Sequence, residues 1–399
     1  MGKFRICLVV TDAISFNVLY RSQLEYLKAQ GFRLTLICGG GAAEIDKLRT
    51  RDVGHVLDLG LVRNPSPRVD LVTLFRLLRH FAANRYDLVL YTTPKALLLA
   101  SLAACLTLQK RRIAFFQGRV YENYQGLKRK VFRLFDRITL HCSQEALFVS
   151  QSLMNEFAIE IPAVTRKGTV LGSGSANGVP VETFSPAAVS ADHLATLRSD
   201  LGIEPEDFVV TIVGRINPDK GISEVAQVIR RVGIHDKRKR RIRFLFIGRV
   251  EGAEAQGQLD RLIRDGSAIH VDFTPDIAVY MALADVHLFL SHREGFGNVA
   301  IEAAAMGIPT VAFDVVGIRD SVLEGISGWR FAFGDTDAVS AKLAELASGD
   351  GAEQSLQDTA RSWAVENFAQ EQVWQRYADF YLSEDANVAV KAGRKQATR

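Results

Sequence analysis

Short apolar runs alternate with longer amphipathic stretches along most of the chain. In the first half the strand-like runs are Phe4–Val10, Arg33–Cys38, Asp87–Tyr91, Arg112–Phe116 and Ile138–Cys142. The spacing predicts a helix over Ser15–Gln30 and a buried, almost wholly apolar helix over Ala96–Leu108. The second half repeats the scheme, with strands expected at Phe208–Gly214, Arg243–Gly248, Ala268–Val271, Val286–Ser291 and Thr310–Phe313. Helices are expected at Ser223–Val232 and Asn298–Met306. Strands alternating with helices imply βαβ units and parallel sheets. The fold class that follows is α/β, in two doubly wound, Rossmann-like halves.

The expected join is the Gly/Ser/Pro-rich stretch 171–180, read as a mobile connection. Its GSGSAN segment lacks the third glycine of a dinucleotide loop, because Asn177 stands there. The domains are therefore set at 1–180 and 181–362. A helix over 363–384 carries Trp363, Phe368, Val373, Trp374, Tyr377, Phe380 and Tyr381 at helical spacing and is expected to pack back on the first domain. The tail 385–399 has no periodicity and is expected to be disordered.

Composition narrows the class. Of 399 residues, 48% are hydrophobic and 24% charged, which excludes collagen, extended disorder and a disulfide scaffold. A spanning helix needs about 20 apolar residues, and Ala96–Leu108 falls short of that. The block Ile6–Val10, cut off by Thr11 and Asp12, reads as a first strand and not as a leader peptide. Cys7, Cys38, Cys105 and Cys142 form no metal-ligand spacing and fit buried small hydrophobes in a reducing compartment. Charge is unevenly spread: residues 1–180 hold 25 basic and 13 acidic residues, residues 181–399 hold 24 and 32. A basic first half suits an anionic partner: nucleic acid, lipid surface or phosphorylated substrate.

Two motifs carry candidate chemistry. In Glu294-Gly-Phe-Gly-Asn-Val-Ala-Ile-Glu302 a glycine-rich loop follows a strand and opens a helix. Its amides and the positive end of the helix suit a phosphate. Glu302 suits ribose hydroxyls and Glu294 a sugar hydroxyl. In Gly214-Arg-Ile-Asn-Pro-Asp-Lys-Gly221, Arg215 and Lys220 sit at a strand's carboxyl end, where open α/β sheets bind ligands. Neutralising a diphosphate there lowers the barrier to its departure. Alone, each motif also fits a solvated turn or a capped surface helix.

Together, E-G-F-G-N-x-x-x-E and G-R-x-x-x-x-K-G resemble the retaining glycosyltransferases of family 4. Asn177-Gly178-Val179, Ala284-Asp285-Val286 and Met306-Gly307-Ile308-Pro309 support the likeness in the same order. The resemblance implies a GT-B fold, two Rossmann-like domains facing a cleft, with a nucleotide sugar as donor, no other cofactor and no metal. It implies that Arg215 and Lys220 hold the donor diphosphate and that Glu294 acts on the sugar with the Gly295–Gly297 amides. On the same basis Glu302 binds ribose, Phe296, Asn298, Val299 and Gly214 line the donor, and the base sits near Gly248, Arg249 and Phe273. His292-Arg293 departs from the small or apolar residues common before the first acid.

The first half resembles a narrower group that builds bacterial surface polysaccharides, through Thr93-Pro-Lys95, Gln117-Gly-Arg119 and Gly126-Leu-Lys-Arg-Lys130. This implies an undecaprenyl-diphosphate-linked saccharide as acceptor and UDP-linked hexose or N-acetylhexosamine as donor. The location it implies is cytoplasmic, peripheral on the inner face of the plasma membrane. Asn17, Lys95, Arg119 and His141 are the acceptor-side candidates. Two basic amphipathic stripes add to this reading: Leu71, Leu74, Phe75, Leu78 and Phe81 beside Arg68, Arg76, Arg79 and Arg85, and Leu127, Val131, Leu134 and Phe135 beside Lys128, Lys130, Arg133 and Arg137. Such helices can lie in an anionic membrane interface; they can equally face a core. Lys237–Arg241 reads as a solvated loop. A nucleic-acid binder would interleave its basic residues with base-stacking aromatics, and these basic helices carry mainly aliphatic stripes, so no nucleic-acid partner is expected. The alternatives are a sugar-nucleotide epimerase on the same fold and a non-catalytic nucleotide-sugar-binding protein.

Overall fold

The computed structural model describes residues 4–122, 124–232, 241–349 and 353–383. The chain divides into two compact units, 1–177 with 371 onward, and 178–370.

The first unit runs β1 (Arg5–Val9), α1 (Ala13–Val18), α2 (Gln23–Ala29), β2 (Arg33–Cys38), α3 (Ala42–Thr50), β3 (His55–Asp58), α4 (Pro67–Ala83), β4 (Leu88–Thr92), α5 (Pro94–Leu106), β5 (Arg112–Phe116), α6 (Gly126–Cys142), β6 (Glu145–Phe148), α7 (Gln151–Glu160), α8 (Val164–Lys167) and β7 (Gly168–Val170). Its sheet is parallel, in the order β3-β2-β1-β4-β5-β6-β7. The central strands are buried on both faces, which is why they read as continuous apolar runs and not as alternation.

The second unit runs α9 (Ala191–Asp200), β8 (Phe208–Val213), α10 (Ile222–Val232), β9 (Ile242–Ile247), α11 (Ala253–Arg264), β10 (Ala268–Val271), α12 (Ile277–Met281), β11 (Val286–Phe289), α13 (Asn298–Ala305), β12 (Thr310–Phe313), α14 (Ile318–Ser321), β13 (Gly328–Phe331), α15 (Thr336–Ser348) and α16 (Glu353–Phe368). Its parallel sheet has the order β10-β9-β8-β11-β12-β13. One core joins Phe208, Val210, Phe244 and Phe246 of the sheet to Val225, Val228 and Ile229 of α10 and Val339 and Leu343 of α15.

Several sequence expectations change. The strand expected at Ile138–Cys142 is the last turn of α6, and the strand is β6. The helical period of α6 continues through Thr139, Leu140 and Cys142, its buried positions, so an apolar tail read as a strand in isolation. The helix expected over Ser15–Gln30 is α1 and α2, broken before Ser22, which adopts φ +61°. The helix expected over 363–384 is two: α16 ends at Phe368 and α17 (Gln370–Leu382) follows. The break has a backbone cause. Val179 N–H donates to the Phe368 carbonyl at 2.7 Å, and Gln370 N–H donates to the Val179 carbonyl at 3.0 Å.

The stretch before 178 is hydrogen-bonded within the first unit, whose first segment ends at Asn177. Ser175 N–H donates to Val149 O (2.8 Å), the Tyr377 hydroxyl to Ser175 O (3.0 Å), and Trp374 Nε1 to Asn177 Oδ1 (2.7 Å). The 385–399 tail and Lys237–Arg240 lie outside the described residues, so those two expectations are not addressed.

The two amphipathic stripes differ: that of α4 runs from exposed Leu71 and Phe75 to buried Phe81, whereas no member of the α6 stripe is fully buried. On α4, Leu71 and Phe75 are two-thirds exposed while Leu77 and Phe81 are buried. On α6, Leu127 and Leu134 are exposed while Leu140 is buried. The open apolar residues thus lie toward the N-terminal parts of both helices, which follow the carboxyl ends of β3 and β5. No described helix is long and apolar enough to cross a membrane.

Candidate active site

In the second sheet β8 and β11 are neighbours, but α10 leads from β8 to β9 while α13 leads from β11 to β12 on the other side. Loops leaving in opposite directions open a crevice at the carboxyl ends of the two strands. Asp285 fastens the pair at its foot: Val209 N–H donates to Asp285 Oδ2 at 2.7 Å, and Asp285 N–H donates to Val209 O at 2.9 Å.

Both sequence motifs meet at this crevice. After β8, Pro218–Lys220 form a single 3-10 turn, capped by Asn217, whose Oδ1 accepts from Lys220 N–H at 3.1 Å. Gly221 ends the turn at φ +79°, and a Cβ there would stand 2.1 Å from Leu290 O. Only glycine lets the two loops abut so closely. Lys220 Nζ consequently reaches Glu294 Oε1, and the same oxygen accepts from Ser291 Oγ at 2.7 Å. Beside this pair, Arg293 Nη2 lies 2.7 Å from Asp219 Oδ2, and His292 N–H donates to Asp219 O at 2.9 Å. His292 Nε2 lies 3.0 Å from Glu224 Oε1 at the start of α10. The strand pairing continues past β8 and β9: Ile216 N–H donates to Arg249 O and Glu251 N–H to Ile216 O, each at 2.9 Å. That register sets Arg215 Nη1 3.0 Å from Glu251 Oε2, which also accepts from Asn217 Nδ2 at 2.8 Å. The Asn217 amide, and then Arg215, hold the Glu251 carboxyl below its ordinary pKa. A pocket here is lined by Gly214, Arg215, Asn217, Lys220, Phe289 and Ser291.

The glycine-rich loop turns into α13 at Gly297, with φ +84°, where a Cβ would sit 2.8 Å from both Phe289 Cε1 and Ser321 Oγ. The Phe296 ring is buried and packs edge-to-face on Phe368, centroids 5.4 Å apart, so it anchors the loop from behind. Asn298, Val299 and Glu302 form the open side of a helix otherwise buried in Ala300, Ile301, Ala303 and Ala304. Burial pushes the Glu302 carboxyl up to about 7. At the ends of β9 and β10, Gly248 O lies 2.9 Å from His270 Nε2, and the Arg249 guanidinium stands 5.8 Å from the centre of the exposed Phe273 ring. A flat ring and guanidinium at a strand end can stack a base.

The acceptor-side candidates are differently placed. Asn17 Nδ2 donates to Glu44 Oε2 (2.7 Å) and Glu44 O (3.0 Å), tying α1 to α3. Lys95 Nζ donates to Asp70 Oδ1 (2.7 Å) and Asn64 O (2.6 Å). Arg119 is buried among Glu122, Glu156 and Glu160, its guanidinium over the Tyr121 and Phe157 rings. His141 is exposed on the last turn of α6, not in the core. The structure does not bring these four to one point; each has its own local setting. Conversely, Asn217, Asp219, Glu251 and Ser291 enter the network of this crevice without having been singled out in the sequence, and Arg293, noted there only as a departure, joins them. The signal for two of them was there: Asp219 and Arg293 are charge-opposite neighbours of Lys220 and Glu294.

Comparisons with known proteins bear on the family and the fold. Residues 207–349 match the family described as "Glycosyl transferases group 1", and residues 17–167 match "Glycosyltransferase Family 4". The chain is 27% identical over 365 residues to the capsular polysaccharide biosynthesis glycosyltransferase CapM of Staphylococcus aureus, covering 91% of this chain and 93% of that protein. It is 23% identical to a glycosyltransferase described as putative, EpsD of Bacillus subtilis, over 94% of this chain and 96% of the other. Among solved structures it is similar to Anabaena Alr3699/HepE in complex with UDP (TM-score 0.72, 18% identity, 94% and 98% coverage). It is also similar to WaaG, a glycosyltransferase involved in lipopolysaccharide biosynthesis (TM-score 0.73, 12% identity, 95% and 100% coverage).

Proposed function

The chain belongs to glycosyltransferase family 4, with the GT-B fold of two parallel-sheet domains, and from that premise we propose that it moves a sugar from UDP to a polyprenyl-diphosphate-linked saccharide during surface polysaccharide synthesis. The observation that carries the donor side is the meeting of Lys220 and Glu294, 74 positions apart, in the β8/β11 crevice. A diphosphate seated there takes charge from Arg215 and Lys220 and hydrogen bonds from the amides at the start of α13. Asn298 and Glu302, one turn apart on the open side of α13, face the ribose. Glu294 holds a hydroxyl of the sugar, and Arg249 with Phe273 carries the base.

With Glu294 assigned to a hydroxyl of the sugar and not to its anomeric carbon, the proposed path retains configuration on one face. The bond from the sugar's anomeric carbon to the phosphate oxygen breaks. The acceptor oxygen bonds to that carbon from the same side, and its proton passes to the departing phosphate. The protein contributes position and charge stabilisation.

On the acceptor side, the open apolar residues of α4 and α6, with Lys128 and Lys130 beside them, are the proposed contact with an anionic membrane leaflet. A panel of UDP-sugars incubated with the enzyme and bacterial membrane extract, read by the mass of lipid-linked products, tests the assignment. Transfer from one donor is expected, falling at least 100-fold in Lys220→Ala and Glu294→Ala. Near-normal transfer in either variant refutes it. An isomerised nucleotide sugar formed without acceptor would instead identify an epimerase.

A further inference from the structure

The dipeptides Asp219-Lys220 and Arg293-Glu294 face each other across the crevice with their charges crossed. Asp219 pairs with Arg293 at 2.7 Å, and Lys220 pairs with Glu294. In the slipped arrangement, with one loop shifted by one residue, Asp219 would oppose Glu294 or Lys220 would oppose Arg293. Like charges in contact disfavour both. The alignment is backed by the His292 N–H bond to Asp219 O and by His292 against Glu224 one turn further on. The Asp219–Arg293 pair is moderately accessible, with side chains 44% and 33% exposed. Pairs of that exposure add little to stability, so their contribution lies in register, the best-attested role of such ion pairs.

We propose that Asp219 and Arg293 are positioning residues that lock the two loops in the register placing Lys220 against Glu294 at the donor site. The inference rests on the reading of Lys220 and Glu294 as donor-binding groups. It also gives a purpose to Arg293, the residue that departs from the family's usual small or apolar choice before the first acid. Neither residue is required to touch the donor. Each acts through the neighbour it holds, and it is the crossed order of the four charges that sets the register.

Calorimetric titration of the full chain with UDP, with GDP and ADP as parallel arms, tests this alongside thermal unfolding. Arg293→Ala and Asp219→Ala are each expected to weaken nucleoside diphosphate binding about tenfold while shifting the unfolding midpoint by no more than about 2 °C. Arg293→Lys should recover part of the affinity, whereas the charge-swapped double variant Asp219→Arg/Arg293→Asp, which restores an ion pair but makes the slipped register attractive too, should stay as weak as the single variants. Affinities within twofold of wild type in both alanine variants overturn the proposal and leave the donor site standing. A swapped variant that binds like wild type also overturns it, because pairing without the crossed order of charges would then suffice. Failure of the wild-type protein to bind any of the three nucleotides removes the donor-site reading itself and this inference with it.

Discussion

Glu302 allows a prediction whose stability and function signs oppose each other. Its carboxyl sits on the open side of α13 yet is buried enough to raise its pKa from 4.5 to about 7. The folded state therefore holds its proton more tightly than the unfolded one. Stability is fully present below the unfolded value and is lost as pH rises from about 4.5 to about 7. The shift of about 2.5 pK units, at 1.36 kcal/mol each, amounts to about 3 kcal/mol. Glu302→Gln keeps the shape and carries no charge to desolvate. At pH 8 it should be more stable than wild type by up to that amount, and at pH 4 nearly equal. For a unit of this size about 3 kcal/mol corresponds to roughly 6–12 °C in the unfolding midpoint. The ionised carboxylate is also the proposed acceptor for ribose hydroxyls, and hydrogen bonds to charged groups are worth about 1.5–3 kcal/mol. The same variant should therefore bind UDP about 10- to 100-fold more weakly at pH 8. Scanning calorimetry from pH 4 to 8, with UDP titrations at each pH, reads both effects. The nucleotide's own titration is common to the two proteins and cancels in the difference. A pH-independent stability difference would refute the burial reasoning, and unchanged UDP affinity would remove Glu302 from the donor site.

Three further outcomes follow from the geometry. Gly221→Ala combines a left-handed backbone with a Cβ 2.1 Å from Leu290 O. It should cost about 3 kcal/mol or more in unfolding free energy, and a midpoint near wild type would show that the loops do not abut. Arg119→Leu leaves Glu122 and Glu156 without their buried cation. It should destabilise the first unit by about 3 kcal/mol, detected by chemical denaturation; a loss below about 0.5 kcal/mol would contradict the buried network. Lys128→Glu/Lys130→Glu should lower sedimentation with phosphatidylglycerol vesicles at least about 30-fold, since each lysine near an anionic surface contributes about 1 kcal/mol. Equal partitioning would disprove membrane contact through α6.

The second unit was the more legible half. Ala268–Val271 and Thr310–Phe313 are strands with the bounds the apolar runs suggested, the first an edge strand with only Ala268 buried, the second buried at every position, as a strand covered on both faces announces itself without any partner. β3 and β7 escaped notice for the opposite reason. They are edge strands of four and three residues with no fully buried position, so no apolar run marks them. β13 is another edge strand, and only Gly328 of its four residues is buried. The break between α16 and α17 was invisible because Val179, nearly two hundred positions away, causes it. On the donor side, Lys220 and Glu294 were readable from spacing, but Glu251 was not. It comes beside Arg215 only through backbone pairing beyond the ends of β8 and β9.

The acceptor side shows what residue type alone fails to decide. Lys95, Arg119 and Arg215 are all cations just past the carboxyl end of a parallel strand, the position where α/β sheets meet ligands. What separates them is depth and the number of acids around them. The Arg119 side chain is 7% exposed and faces three carboxylates; that of Lys95 is 14% exposed and is held by Asp70 and a carbonyl. Moving either onto a ligand would strand buried acids, at a cost of several kcal/mol. The Arg215 side chain is 60% exposed and meets one carboxylate through Nη1, and among the described residues its Nε and Nη2 have no partner. It can therefore grip a phosphate without first breaking a buried pair. By the same criterion the anionic group of an acceptor is better met by Lys128 and Lys130, both exposed near the start of α6 beside Leu127. Lys95 and Arg119 instead hold their own loops, through Asp70 and through Glu122, Glu156 and Glu160.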